Sequence, residues 1–312
     1  MMMLHFKFKS ERTFEYLIQK DNYAITLDLA QAYCLIPVSP ELKPYLSFRS
    51  EGTDYSFEGI LYEFMDAPRI FTKIMRNVTR ATKKRWNVRA IAYLDDMTIL
   101  HHDKAYLEII KSQMMLFLGS LGLMNHKNKC QLEPTKRFTY LGFDWDTEEF
   151  TARLGKDKAT SLEALLSLWE RKCVEAKQVR MKDFASLIGK INAVRFIRQD
   201  ASLRMVALHR LLQKNVRTSG WSGMMKMNAS VLKKLLEWKW ILNLNKPRQL
   251  QTVFSPQATL TTDASELAMG ATLRRNNMIL DWRAKFRRML TANRLLTGNS
   301  WLCYWHSTIS HK

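Results

Sequence analysis

The sequence predicts an α+β chain: an antiparallel sheet backed by helices in a split βαβ plan, then a helical stretch, then strands again. Three observations predict it. Short β-rich runs come in hairpin-like pairs. Two long segments, from Pro68 to about Trp86 and over 104–122, carry apolar residues at helical spacing. From about residue 155 the helical period dominates until Pro247, after which strand-like runs resume.

The elements follow in order. Tyr23-Ala24-Ile25-Thr26-Leu27-Asp28 is a short strand ending in a carboxylate. Runs at 45–49 and 53–59 flank Glu51-Gly52 as a hairpin turn. Pro68 suits a first helical position and Asp66 the cap before it, with the helix reaching about Trp86. Strands at 88–93 and 97–100 flank an Asp95-Asp96 turn. The helix over 104–122 places Leu107, Ile110, Met114, Phe117 and Leu121 on one face. Two further strands are expected at 129–133 and 138–143. Helices are expected over 157–175, 181–198, 200–213 and 224–243, with Phe184, Leu187, Ile188, Ile191 and Val194 as one apolar stripe. Runs at 258–263 and 269–273 read as strands. These changes of character set domains at 1–152, 153–247 and 248–312.

Charge narrows the function classes. The 49 Lys+Arg outnumber the 29 Asp+Glu, for a net charge of +20 that a polyanion partner would offset. Nucleic acid is the expected partner. Over 171–217, 12 basic residues face only 3 acidic ones, so the excess is locally concentrated. A hydrophobic content of 46% excludes general disorder. Cys34, Cys130, Cys173 and Cys303 are too scattered for a zinc finger or a disulfide framework. The longest apolar stretch, 114–124, is far short of the roughly 20 residues that cross a bilayer. The expectation is a soluble intracellular protein, cytoplasmic or nuclear, with no membrane partner.

Adjacent acids between apolar strands are costly unless a cation offsets them. Asp95 and Asp96, with Asp28 ending an earlier strand, could hold two Mg²⁺ ions, an arrangement that suits polymerases and nucleases alike. The bland alternative is a turn pair and a strand terminator. Arg69, Lys73, Arg76, Arg80 and Lys83 recur at helical spacing, opposite Ile70, Ile74, Val78 and Ala81. That face suits phosphates, or it is an ordinary solvated surface.

These residues fall within a series of motifs. Asp28-Leu29-Ala30-Gln31-Ala32-Tyr33, Ala67-Pro68-Arg69-Ile70-Phe71-Thr72-Lys73 and Tyr93-Leu94-Asp95-Asp96 come first. Leu121-Gly122-Leu123 with Asn125, Lys129 and Cys130 follows, then Phe138-Thr139-Tyr140-Leu141-Gly142-Phe143. In this order they resemble the palm motifs of retroelement reverse transcriptases, gypsy-like or DIRS-like. The resemblance implies a palm with partial fingers over 1–152 and a helical thumb/connection over 153–247. Residues 248–312 are then similar to a partial ribonuclease H-like α/β segment.

The resemblance also implies roles. Asp28, Asp95 and Asp96 would be catalytic metal ligands, helped by the Leu29 carbonyl. Tyr33 would select deoxynucleotides by excluding a ribose 2′-hydroxyl, or it is a core residue. Lys129 would approach the nucleotide phosphates, or it is a solvated lysine. Leu141 and Gly142 would grip the primer, while Arg69, Lys73, Arg76 and Arg80 would meet the template–primer backbone. The implied activity is RNA-directed DNA synthesis from deoxynucleoside triphosphates on a primed RNA or DNA template.

Two departures keep a second reading open. Only 27 residues precede Asp28, and none of their basic residues matches the family's triphosphate grip. Glu63 stands where the family has a glycine. After Asp263 the acids are Glu266 and Asp281 alone, too few for a ribonuclease H metal pair. The chain is therefore expected to be an internal piece of a longer polyprotein. The alternative to a polymerase is a catalytically inactive remnant that binds nucleic acid.

Overall fold

Six residues, Tyr23–Asp28, form strand β1. The computed structural model describes residues 9–31, 33–62, 64–126, 128–175, 177–250, 258–264, 268–275 and 278–285. Its first unit comprises Met1–Lys158 with Lys246–Leu250, and its second Ala159–Asn245 with Gln251–Lys312.

In the first unit a short helix, α1 (Glu11–Glu15), precedes β1. A two-stranded hairpin, β2 (Ser47–Ser50) and β3 (Thr53–Ser56), turns at Glu51-Gly52 as expected. Helix α2 (Ala67–Trp86) leads to β4 (Arg89–Tyr93), β5 (Asp96–His101), α3 (Lys104–Ser120) and β6 (Gln131–Thr135). The main sheet has the order β4-β5-β1-β6 and its pairs are antiparallel. Strand alternation sorts its residues onto two faces. Ile25, Leu27, Ala90, Ala92, Met97 and Ile99 join one core with Phe71, Met75 and Trp86 of α2 and Leu107, Ile110 and Met114 of α3. Each fully buried large apolar side chain contributes about 1.5–3 kcal/mol to such a core. Thr26, Asp28, Asp96 and Thr98 share the other face, which leaves the two acids at one end of the strand pair.

The helices differ from expectation in which residues they bury. Helix α2 buries Phe71, Met75, Val78, Thr79, Thr82 and Trp86, whereas Ile74 is 37% exposed. Ala81 is exposed as well, so only Val78 of the expected apolar line is buried. Asp66 occupies the N-cap position, but its carboxylate accepts from Arg69 Nε at 2.9 Å and from no helix N–H. In α3 the stripe runs Leu107, Ile110, Met114, Leu118, and Leu121 is 50% exposed beyond the helix end.

The expected strand at 138–143 is two strands. β7 (Arg137–Tyr140) and β8 (Phe143–Asp146) turn back at Leu141-Gly142. They continue into β9 (Thr151–Leu154), and a distant segment, β12 (Arg248–Gln249), adds to its edge. Phe14 of α1 packs against Phe138, Tyr140 and Trp145 at centroid distances of 4.6–6.0 Å.

The second unit is mainly helical. It holds α4 (Lys156–Val174, whose first turn counts with the first unit), α5 (Met181–Asn192), α6 (Ala201–Ser219) and α7 (Ala229–Leu244). The stripe Phe184, Leu187, Ile188, Ile191, Val194 is buried throughout. Helix α5 stops short of 198, because a 3₁₀ turn at Arg195–Ile197 intervenes and Asp200 then pairs with both Arg198 and Arg204. Residues Met224–Lys226 were expected to be helical but form β11, paired with β10 (Gln178–Arg180); Asn228 then caps α7 through the Val231 N–H. The final strands, β13 (Thr259–Ala264), β14 (Ala268–Arg275) and β15 (Met278–Lys285), make an antiparallel meander. The third strand had no counterpart in the sequence reading. Glu63 and Glu266 lie outside the described residues.

Candidate functional site

Hairpin β4–β5 carries the paired acids. Its tip is Leu94-Asp95, and Asp96 already belongs to β5, so the turn sits one residue earlier than the sequence suggested. Leu94 adopts φ +53°, a left-handed conformation that costs a branched residue about 1–2 kcal/mol. The tip is tied down from β1: the Leu29 N–H donates to the Asp95 carbonyl at 3.0 Å.

Asp28 lies directly across from Asp96 in the β1–β5 register. Cross-strand partners have Cβ atoms roughly 4.5–5.5 Å apart, and like charges there repel. Burial, then Asp95, then Asp28 push the Asp96 carboxyl up to about 6, with Lys129 opposing. Lys129 Nζ stands 3.9 Å from Asp28 Oδ2 with its side chain 62% exposed. The backbone of Asp28 is clamped on both sides. Its N–H donates to Cys130 Sγ at 3.3 Å, and its carbonyl accepts from the His126 N–H at 2.8 Å.

Thr26, Leu27, Asp28, Asp96, Met97 and Lys129 line one cavity of about 150 Å³ with Thr139, Tyr140, Leu141 and Gly142. The fold thus brings together five residues singled out from sequence: Asp28, Asp96, Lys129, Leu141 and Gly142. Asp95 is beside them at the hairpin tip. Among the described residues, no three His, Cys, Asp or Glu side chains converge as a ready ligand set. The donor chemistry nonetheless suits a hard divalent cation, being carboxylate oxygen. Carboxylates that repel one another draw together when a cation offsets their charge.

The other candidates fall elsewhere. Tyr33 is buried, edge-on to Tyr62 at 4.9 Å and Phe71 at 5.3 Å. Burial, and after it Asp95, raise its phenol above the ordinary range. Lys73, Arg76 and Arg80 are exposed on α2, and no ion pair among the described residues engages them. Arg69 differs, being half-buried and committed to Asp66. Sequence reasoning missed Tyr140 as a site residue; its hydroxyl is buried and has no hydrogen-bond partner among the described residues, and the residue lines the cavity. It also missed Lys158, whose Nζ donates to the Leu141 carbonyl at 3.3 Å. The only available signal for Tyr140 was its place beside Leu141-Gly142; for Lys158 there was none.

Residues 4–145 match the family model described as reverse transcriptase (RNA-dependent DNA polymerase). The chain is similar to the Transposon Tf2-3 polyprotein of Schizosaccharomyces pombe, 24% identical over 259 residues. That match covers 82% of this chain and 17% of the polyprotein, so the chain spans about a sixth of that relative's length. It is also similar to Protein P of duck hepatitis B virus, 25% identical over 122 residues, covering 39% of this chain and 15% of that protein. Among solved structures, the foamy viral protease-reverse transcriptase in complex with RNA/DNA hybrid aligns with a TM-score of 0.61 and 15% identity. The alignment covers 98% of this chain and 39% of that one. A second structure of that enzyme, with double-stranded DNA, gives a TM-score of 0.62 at 15% identity, over 97% of this chain and 51% of that one. The fold they share is that of reverse transcriptases.

Proposed function

We propose, on the premise that residues 4–145 form a reverse transcriptase domain of retroelement type, that this chain carries the polymerase centre for RNA-directed DNA synthesis. The observation that carries the reading is the cavity shared by Asp28, Asp96, Lys129, Leu141 and Gly142. Asp28, Asp95 and Asp96 would hold two Mg²⁺ or Mn²⁺ ions, with the Leu29 carbonyl as a further donor. Bound there, the ions would supply Lewis-acid activation of a primer 3′-hydroxyl and charge stabilisation for the departing pyrophosphate. Lys129, the exposed cation at the cavity, would meet the triphosphate of a deoxynucleotide. The Leu141-Gly142 turn would seat the primer end, and Tyr33 would sense the sugar from the core side. Lys73, Arg76 and Arg80 would take backbone phosphates of the template–primer.

The test is primer extension on an RNA template with Mg²⁺, alongside thermal melts with and without the ion. Wild type should extend the primer and melt higher with Mg²⁺, and Asp95→Asn should lose both responses. Extension by Asp95→Asn at the wild-type rate would remove Asp95 from the metal site.

A second reading, nucleic-acid binding without catalysis, has its own support in Lys73, Arg76 and Arg80, which no ion pair among the described residues engages, and in the lack there of a converged three-ligand set. It predicts tight duplex binding with neither extension nor a metal response.

A further inference from the structure

Lys158 is half-buried against the Leu141-Gly142 turn. Its Nζ donates to the Leu141 carbonyl at 3.3 Å and lies 4.6 Å from the Phe143 ring centroid. Its aliphatic stem covers Gly142 so closely that a Cβ there would stand 2.7 Å from Lys158 Cδ. Gly142 has φ +74° and Leu141 φ +55°, so the turn needs both a glycine and external support. A second tie comes from the same segment, where the Gly155 N–H donates to the Gly142 carbonyl at 3.0 Å. No ion pair among the described residues offsets the Lys158 charge. Burial lowers its pKa, with the Glu11 carboxylate opposing the shift. An ammonium carries three donors, and a protein carbonyl takes one of them.

A cation held behind a turn, with the Glu11 carboxylate acting on it only from beyond ion-pair contact, costs desolvation that packing alone would not require. A neutral side chain of the same length would cover Gly142 as well. The turn it braces faces the cavity lined by Asp28, Asp96 and Lys129. We propose that Lys158 is a positioning residue. It locks the Leu141-Gly142 turn in the shape that receives the terminal phosphodiester of a primer, and it adds positive potential behind that turn. The proposal rests on reading this turn as the primer seat.

Lys158→Met keeps the stem and removes both the charge and the bond to Leu141. Lys158→Arg keeps the charge. Hydrogen exchange at the Gly155 amide reads the turn without nucleic acid, and should quicken about tenfold in Lys158→Met, the scale of one charge-assisted hydrogen bond. Affinity for a primer–template duplex should weaken by about the same factor, with KM for deoxynucleotide unchanged and recovery in Lys158→Arg. The melting temperature of Lys158→Met should change little, because the lost bond to Leu141 is offset by removal of a desolvated cation. If Lys158→Met does not fold, Lys158→Gln serves in the same comparison. Unchanged Gly155 exchange would overturn the bracing role. Quickened exchange with wild-type primer affinity would overturn the link to the primer. A wild type that binds no primer–template would instead sink the polymerase reading, while the exchange result would still decide what Lys158 does.

Discussion

Asp96 sits where three unfavourable effects coincide: partial burial, an adjacent Asp95 and an Asp28 across the strand pair. Together they raise its carboxyl from 3.8 to about 6. A raised acid pKa means that the folded protein binds this proton more tightly than the unfolded chain does. Its contribution to stability is fully present below pH 3.8 and is lost as pH rises through about 6. At pH 7.5 without divalent ions, ionised Asp96 therefore opposes folding. Asp96→Asn should raise the melting temperature in EDTA at pH 7.5, with the gain fading as pH falls from 6 to 4. A gain that ignores pH would show that charge is not what strains this position. Adjacent acids between apolar strands were legible in the sequence. The groups that hold them were not. Cys130 clamps Asp28 across 102 residues of chain, and Tyr140 meets the cavity only once β7 and β8 have folded back.

Helix α2 shows what periodicity can and cannot supply. Its extent was legible to within a residue, since Pro68 opens it and Asn87, at φ +46°, closes it. Its buried face was misjudged for a physical reason. Thr79 and Thr82 return their hydroxyls to the Met75 and Val78 carbonyls at 2.6 and 2.9 Å, and so are buried at little cost. A reading that counts threonine as polar turns the helix towards Ile70 and Ile74 instead. The cationic face survives the correction, except that Arg69 is neutralised by Asp66. Changing Lys73, Arg76 and Arg80 together to Ala should weaken duplex binding at every sequence. It should also flatten the salt dependence, by a slope of roughly 0.9 in log K against log salt for each phosphate no longer neutralised. Anisotropy titrations at several salt concentrations measure both, and identical slopes for wild type and triple mutant would take α2 off the binding surface.

At the scale of the whole chain, a net charge of +20 governs how stability responds to salt. Self-repulsion of that size destabilises a folded protein, and salt screens it over a Debye length of about 10 Å at 0.1 M. Raising NaCl from low to physiological strength should therefore raise the melting temperature, and a short polyanion should do so at far lower concentration. A melting temperature that falls with salt would mean that the ion pairs outweigh the repulsion. By itself the sequence determined the order of elements from β1 to β6 and the acids that end the facing strands β1 and β5. Those properties are written in residue type and local period, and no distant contact is needed to read them. Tertiary structure alone decided which helix faces are buried, where the Leu141-Gly142 turn breaks a strand in two, and that Lys158 stands behind it. These depend on which segments pack together across long separations, and local periodicity carries no information about that.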